Sequence, residues 1–140
     1  MRDQPGFLLY RPSASPQKKR AMLCAEAAIG GVSTLSGVPL GQLARDPILK
    51  RLLEAVASEA AAIFQAAGEA LQARPQAVAA KICRNSPNQT HPWLRSLRRF
   101  RRTGADAVFR PLLGTARRTG CPAPMLAVIA ATLRRLERSR

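Results

Sequence analysis

The sequence predicts an all-α, multi-helix domain. Three observations carry that prediction. Nearly half the residues are apolar (46%), yet aromatic residues are scarce (4%) and Ala, Leu and Arg are abundant, a composition that favours helices packed through small and aliphatic side chains. Start signals recur along the chain, each placing a proline at a first helical position: Ser15-Pro16, Asp46-Pro47, Arg74-Pro75 and the Pro122/Pro124 pair. Between them the apolar residues step by three and four. At 140 residues the chain is one domain by the usual prior and can bury roughly two thirds of its unfolded surface.

Residues 1–14, with Pro5, Gly6 and Pro12, read as an irregular lead-in, and the helical domain occupies 15–140. Its first helix starts at Ser15-Pro16 and runs to about Leu35, burying an Ala and Ile side. Gly37, Pro39 and Gly41 then form a buried corner before the restart at Asp46-Pro47. The next helix is the longest: Leu49, Leu52, Leu53, Val56, Ala60, Ile63, Phe64, Ala67 and Leu71 form its stripe. Ala57, Ala61, Ala62 and Ala66 on its reverse face predict a second close neighbour.

Arg74-Pro75 opens a helix through Val78 and Ile82 that closes near Asn85. Loop formers fill 86–91. From Pro92 to Arg102, Trp93, Leu94, Leu97 and Phe100 fall at helical spacing among Arg95, Arg98, Arg99, Arg101 and Arg102. A helix from about Gly104 to Arg118 turns Val108, Phe109, Leu112 and Leu113 inward; Pro111 should kink it or delay its start, and Gly120 stands where a terminating glycine belongs. The last helix presents Met125, Leu126, Ile129, Leu133 and Leu136. There is no internal repeat and no low-complexity segment.

Cys24, Cys83 and Cys121 are odd in number and form no C-x-x-C pair, which argues against a disulfide scaffold and a zinc site and suits a reducing cytoplasm. Phe7-Leu8-Leu9-Tyr10 is too short for a signal-peptide core, and no stretch approaches a membrane span. Without secretion the Asn88-Gln89-Thr90 sequon carries no meaning. As the only histidine, His91 can complete neither a catalytic triad nor a multi-histidine metal site; before Pro92 it reads as an exposed loop residue. A metal shared by Cys83 and His91 would need two outside ligands. Asp46, Glu54, Glu59 and Glu69 read as surface acids balancing a basic protein, since their spacing does not bring a catalytic pair together.

Three blocks, in order, resemble the C-terminal helical domain of ketopantoate reductases. Thr34-Leu35-Ser36-Gly37 and Pro39-Leu40-Gly41-Gln42-Leu43 are similar to the family's Asn-Pro-Leu-Thr-Ala-Leu followed by Pro-Asn-Gly-Glu-Leu. His91-Pro92-Trp93-Leu94-Arg95-Ser96 through Arg102-Thr103-Gly104-Ala105-Asp106 is similar to Ser-Met-Leu-Gln-Asp, a basic stretch, then Thr-Glu-Ile-Asp. Ala116 to Pro124 resembles the closing Ala-x-x-x-Gly-x-x-x-Pro. Together they cover about residues 20 to 137.

The resemblance implies a fold like the C-terminal domains of ketopantoate reductase and 6-phosphogluconate dehydrogenase-like proteins. In a complete enzyme this domain follows an NADPH-binding Rossmann domain and finishes the substrate cleft. No G-x-G-x-x-G occurs in this sequence, so NADPH is implied only if a Rossmann domain is supplied separately, and the chain alone should be inactive. Carried across one position at a time, the family's catalytic lysine falls at Met22, its two following asparagines at Glu26 and Gly30, its substrate-binding serine at Pro92 and its glutamate at Gly104. Thr103 and Asp106 match, and are expected to cap the next helix. The partners implied are a separate Rossmann-domain chain or a second copy.

The formal charge of +15 supports a second reading, a basic helical module that binds nucleic acid or a protein partner. Its nucleic-acid contacts would be Arg95, Arg98, Arg99, Arg101 and Arg102, with Trp93 or Phe100 stacking on a base. Because both aromatics share the helical face of Leu94 and Leu97, they are assigned to the core and this reading ranks second.

Overall fold

The computed structural model describes residues 14–139; the expected lead-in lies outside them except for Ala14. Among the described residues there are seven helices and no strand: α1 (Pro16–Ser36), α2 (Leu40–Arg45), α3 (Pro47–Ala66), α4 (Pro75–Asn85), α5 (Pro92–Arg98), α6 (Asp106–Thr119) and α7 (Pro124–Arg138).

The centre is α1, which packs against each of the other six helices. Its sequence allows this because its middle is small on every side. Ala21, Cys24, Ala25, Ala27, Ala28, Ile29, Gly30, Gly31 and Val32 are all buried, so the expectation of a single Ala and Ile side gives way to a helix covered all round. Ser15 caps it by accepting the Lys18 N–H at 3.2 Å. At its far end the Gly37 N–H returns to the Ser33 carbonyl, and the Ser33 hydroxyl donates to the Val38 carbonyl at 2.7 Å.

The corner after α1 contains a helix that the sequence did not announce. No side chain caps α2; instead its first N–H groups, on Leu40 and Gly41, donate to the carbonyls of Gln89 and Pro87 at 3.0 and 2.8 Å. A tertiary contact thus satisfies donors that a helix start leaves orphaned. Asp46 then caps α3 by accepting the Ile48 and Leu49 N–H groups at 2.9 and 3.1 Å.

The α3 helix ends at Ala66, short of the predicted Leu71, and residues 67–73 fold back toward the start of α1. There Arg20 Nε donates to the Ala70 carbonyl at 3.0 Å, and the Gln72 N–H to the Gln17 carbonyl at 3.3 Å. Leu52, assigned to the inward stripe, is 39% exposed. The alanine face does meet neighbours at Ala57 and Ala61, both buried, whereas Ala66 is exposed.

Pro111 sits inside α6 on its exposed side and does not delay the helix, which begins ahead of it at Asp106. Gly120 closes α6 in the left-handed conformation (φ 72°), as expected of a terminating glycine. The start of α7 is held by α3: the Glu59 carboxylate accepts the Met125 and Leu126 N–H groups at 3.1 and 2.7 Å. One of the expected surface acids is therefore a cap delivered from a neighbouring helix.

Candidate functional site

Met22, Glu26 and Gly30 stand four residues apart along α1, hence on one line of its surface. Opposite that line lies the start of α5, where Pro92 sits at the first helical position. The structure thus sets two of the positions singled out from the sequence, Glu26 and Gly30, against the start of α5.

What joins them is His91, the N-cap of α5. Expected as an exposed loop residue, it is fully buried. Its Nδ1 accepts the Trp93 N–H at 3.1 Å, so the ring proton belongs on Nε2, which faces Glu26 Oε2 at 3.2 Å. Glu26 is the one acidic residue of α1, and a carboxylate in an apolar helix requires a partner.

Trp93 completes the seam. Its ring stands edge-on to His91 with centroids 4.8 Å apart, and 5.8 Å from Phe109. Gly30 makes room for it: a β-carbon there would fall inside the Trp93 ring's contact envelope and 2.9 Å from His91 Cε1. One residue on, a β-carbon at Gly31 would meet Ile129 of α7 at 2.9 Å. The glycine pair thus lets Trp93 of α5 and Ile129 of α7 pack directly on the α1 backbone.

Chemically, this seam is closed. With His91 fully buried, its nitrogens are closed to solvent, and its ring holds the Trp93 N–H.

The positions at the α6 start are also structural. Thr103 does not cap α6 as expected; it accepts the Ala105 N–H at 3.0 Å, and its own N–H and hydroxyl donate to the Glu137 carboxylate of α7. Asp106 lies in the first turn of α6 and pairs with Arg134 at 3.0 Å. Gly104 has φ 83° with open space in the direction of a β-carbon, a conformation strained for a glutamate.

The arginine segment divides in two. Trp93, Leu94 and Leu97 are buried as expected, but Phe100 is not in the core: α5 ends at Arg98, and Phe100 is 68% exposed with φ 59°. The two aromatics share a face only if the helix continues past Arg98, and it does not. Arg95, Arg98, Arg99, Arg101 and Arg102 are all exposed, and Arg98 Nη2 donates to the Gly37 carbonyl at 3.0 Å. Pro92, Arg95, Ser96, Arg99 and Arg101 line a polar depression of about 340 Å³. Sequence reasoning missed Phe100 because neither proline nor glycine marks the break before it.

All three cysteines are free, with Cys24 and Cys83 buried and Cys121 partly so. Burial pushes the Cys24 and Cys83 thiols up to about 12. No cluster of three or more His, Cys, Asp or Glu side chains suited to a metal occurs among the described residues, and none of their helices is long and apolar enough to cross a membrane. Nor do the described residues offer a strand-to-helix turn on which a dinucleotide pyrophosphate could rest.

Against known proteins, residues 16–137 match the family model described as the C terminal of ketopantoate reductase PanE/ApbA. No curated protein matches the chain. Among solved structures, the chain is similar to a PanE/ApbA family ketopantoate reductase from Ralstonia eutropha JMP134, with TM-score 0.77 and 23% identity, over 86% of this chain and 40% of that one. It is also similar to the dimeric ketopantoate reductase from Staphylococcus aureus, with TM-score 0.79 and 15% identity, over 91% of this chain and 45% of that one. At those identities the likeness is one of fold, and the chain spans less than half the length of either protein.

Proposed function

Because this chain belongs to the ketopantoate reductase family through its C-terminal domain, we propose that it is the helical half of an NADPH-dependent oxidoreductase of the 2-dehydropantoate 2-reductase type. On this reading it has kept the domain's packing and lost the groups that carry the reaction. The observation that supports it is the seam between α1 and α5. A ketone reduced by hydride needs a proton for the developing alkoxide. The lysine that would donate it corresponds to Met22, whose thioether has none to give.

The two asparagine positions are occupied in a different sense. Glu26 is held by His91 at 3.2 Å, and Gly30 is backed by the Trp93 ring, which leaves no space for a side chain. Pro92 lacks the serine hydroxyl, and Gly104 lacks the glutamate carboxylate. The described residues do not fit NADPH, so in this reading the cofactor belongs to a Rossmann domain outside them.

Two comparisons test the reading: the purified chain with NADPH and ketopantoate, alone and with a separately supplied Rossmann-domain chain. Absorbance of the nicotinamide should stay at the background rate with the chain alone, and a substrate-dependent rate there overturns the reading; a rate restored by the Rossmann-domain chain would keep the reductase assignment and overturn the loss of the reacting groups.

The same reading assigns self-association to an apolar depression of about 370 Å³ formed by Val32, Leu35, Leu52, Met125, Val128 and Ile129. Leu35, Leu52 and Val128 are 39%, 39% and 63% exposed there, and the S. aureus protein is described as dimeric. Light scattering during size-exclusion should report a dimer that Val128→Glu dissociates. A monomer at high concentration would reassign this face to a Rossmann-domain chain. A cytoplasmic location, where three free thiols stay reduced, belongs to the same reading.

A further inference from the structure

The turn from α5 into α6 concentrates charge that no carboxylate among the described residues answers. Of the described acids, Glu26 faces His91, Asp46 and Glu59 cap helices, Asp106 pairs with Arg134, and Glu137 holds Thr103. None of Arg95, Arg98, Arg99, Arg101 and Arg102 has a carboxylate within ion-pair distance among the described residues. Five exposed guanidiniums packed into one short stretch repel one another, and an external anion relieves that repulsion.

Phe100 lies in the middle of this field. A bulky residue at positive φ is a conformational outlier, and such strain gathers at ligand clamps. Its position is set by the turn around it: the Arg99 N–H donates to the Arg95 carbonyl at 3.2 Å, the Phe100 N–H to Leu97 at 3.1 Å and the Arg101 N–H to Ser96 at 2.9 Å. The result is a ring 68% open to solvent, flanked by arginines, beside the polar depression of Pro92, Arg95, Ser96, Arg99 and Arg101. An assignment of both aromatics to the core is what ranked nucleic-acid binding second, and Phe100 does not obey it.

We propose that this turn binds single-stranded nucleic acid, with Arg95, Arg99 and Arg101 on the phosphates and Phe100 stacked on a base. Stacking requires an exposed base face, which a single strand offers and a duplex withholds. The proposal is independent of the reductase reading.

Fluorescence anisotropy of the full chain with a short labelled oligothymidylate or oligouridylate tests it. The expected result is binding at low salt that weakens with a log–log slope of about −2, for three phosphates neutralised. Affinity should exceed that for a duplex of equal length, inorganic polyphosphate or phosphatidylserine vesicles. Phe100→Gly removes the ring while suiting the backbone, so it should lower single-strand affinity about tenfold with the salt slope unchanged and the melting temperature no lower. Arg99→Ala and Arg101→Ala should each flatten the slope by about 0.7. Equal or tighter binding of the duplex, polyphosphate or vesicles, an unchanged affinity in Phe100→Gly, or no binding at low salt would each overturn the proposal.

Discussion

The two ends of α5 are built on opposite terms. At its N-terminal end, His91 and Trp93 are buried against Gly30 and Glu26, whose carboxylate lies 3.2 Å from the His91 ring. Past its C-terminal end, Phe100 is 68% exposed amid arginines that have no carboxylate partner among the described residues. One basic, aromatic stretch of sequence thus supplies both a closed seam and an open surface. The difference shows that an aromatic's role is decided by the surface facing it. Trp93 has a glycine opposite and inserts; Phe100 follows a helix break and cannot.

The largest effect expected at the closed end comes from Trp93→Ala, which removes the ring from Gly30, His91 and Phe109 and should cost about 3–5 kcal/mol in urea unfolding. The same truncation at Phe100 should change stability by less than about 0.5 kcal/mol, as befits an exposed site. Equal losses at the two positions would erase the contrast. Gly30→Asn should follow at about 2–3 kcal/mol, because its side chain meets the indole. In a double-mutant cycle with Trp93→Ala, the combined loss should be smaller than the sum of the two.

A control away from both ends is Glu59→Ala, which frees the Met125 and Leu126 N–H groups of α7 and should cost about 1–2 kcal/mol. At the open end Phe100→Gly should instead gain about 1 kcal/mol by releasing the positive-φ strain, sharpening the opposition in sign as well as size. The smallest effect near neutral pH concerns the thiols of Cys24 and Cys83. The folded chain holds their protons more tightly than the unfolded one, so this contribution is whole below their ordinary value of 9.0 and is lost as pH rises toward about 12. At pH 8 a disulfide reagent should therefore label Cys121 quickly and the two buried thiols only on unfolding.

Local signals in the sequence were sufficient for most of the fold. Prolines at first helical positions mark the starts of α1, α3, α4, α5 and α7, and Gly120 marks the end of α6. Features missed there depend on residues distant in the chain. The α2 helix owes its start to the Pro87 and Gln89 carbonyls, and the α7 cap comes from Glu59. The end of α3 at Ala66 was hidden by an apolar spacing that runs on to Leu71. Of the candidate site, the alignment of Met22, Glu26 and Gly30 is legible from helical periodicity. The Glu26–His91 pair is not, although a lone acid in an apolar helix asks for a partner and the chain has a single histidine to offer.

That α1 touches all six other helices also bears on how the chain comes off the ribosome. The hub is made before any of its neighbours, and its surface of alanines and glycines has little to collapse upon by itself. Until α7 emerges and Ile129 reaches Gly31, the hub stays incompletely covered. Folding is therefore deferred until α7 has emerged and proceeds as one cooperative event, so a nascent chain arrested before α7 should be open to protease from α1 through α6.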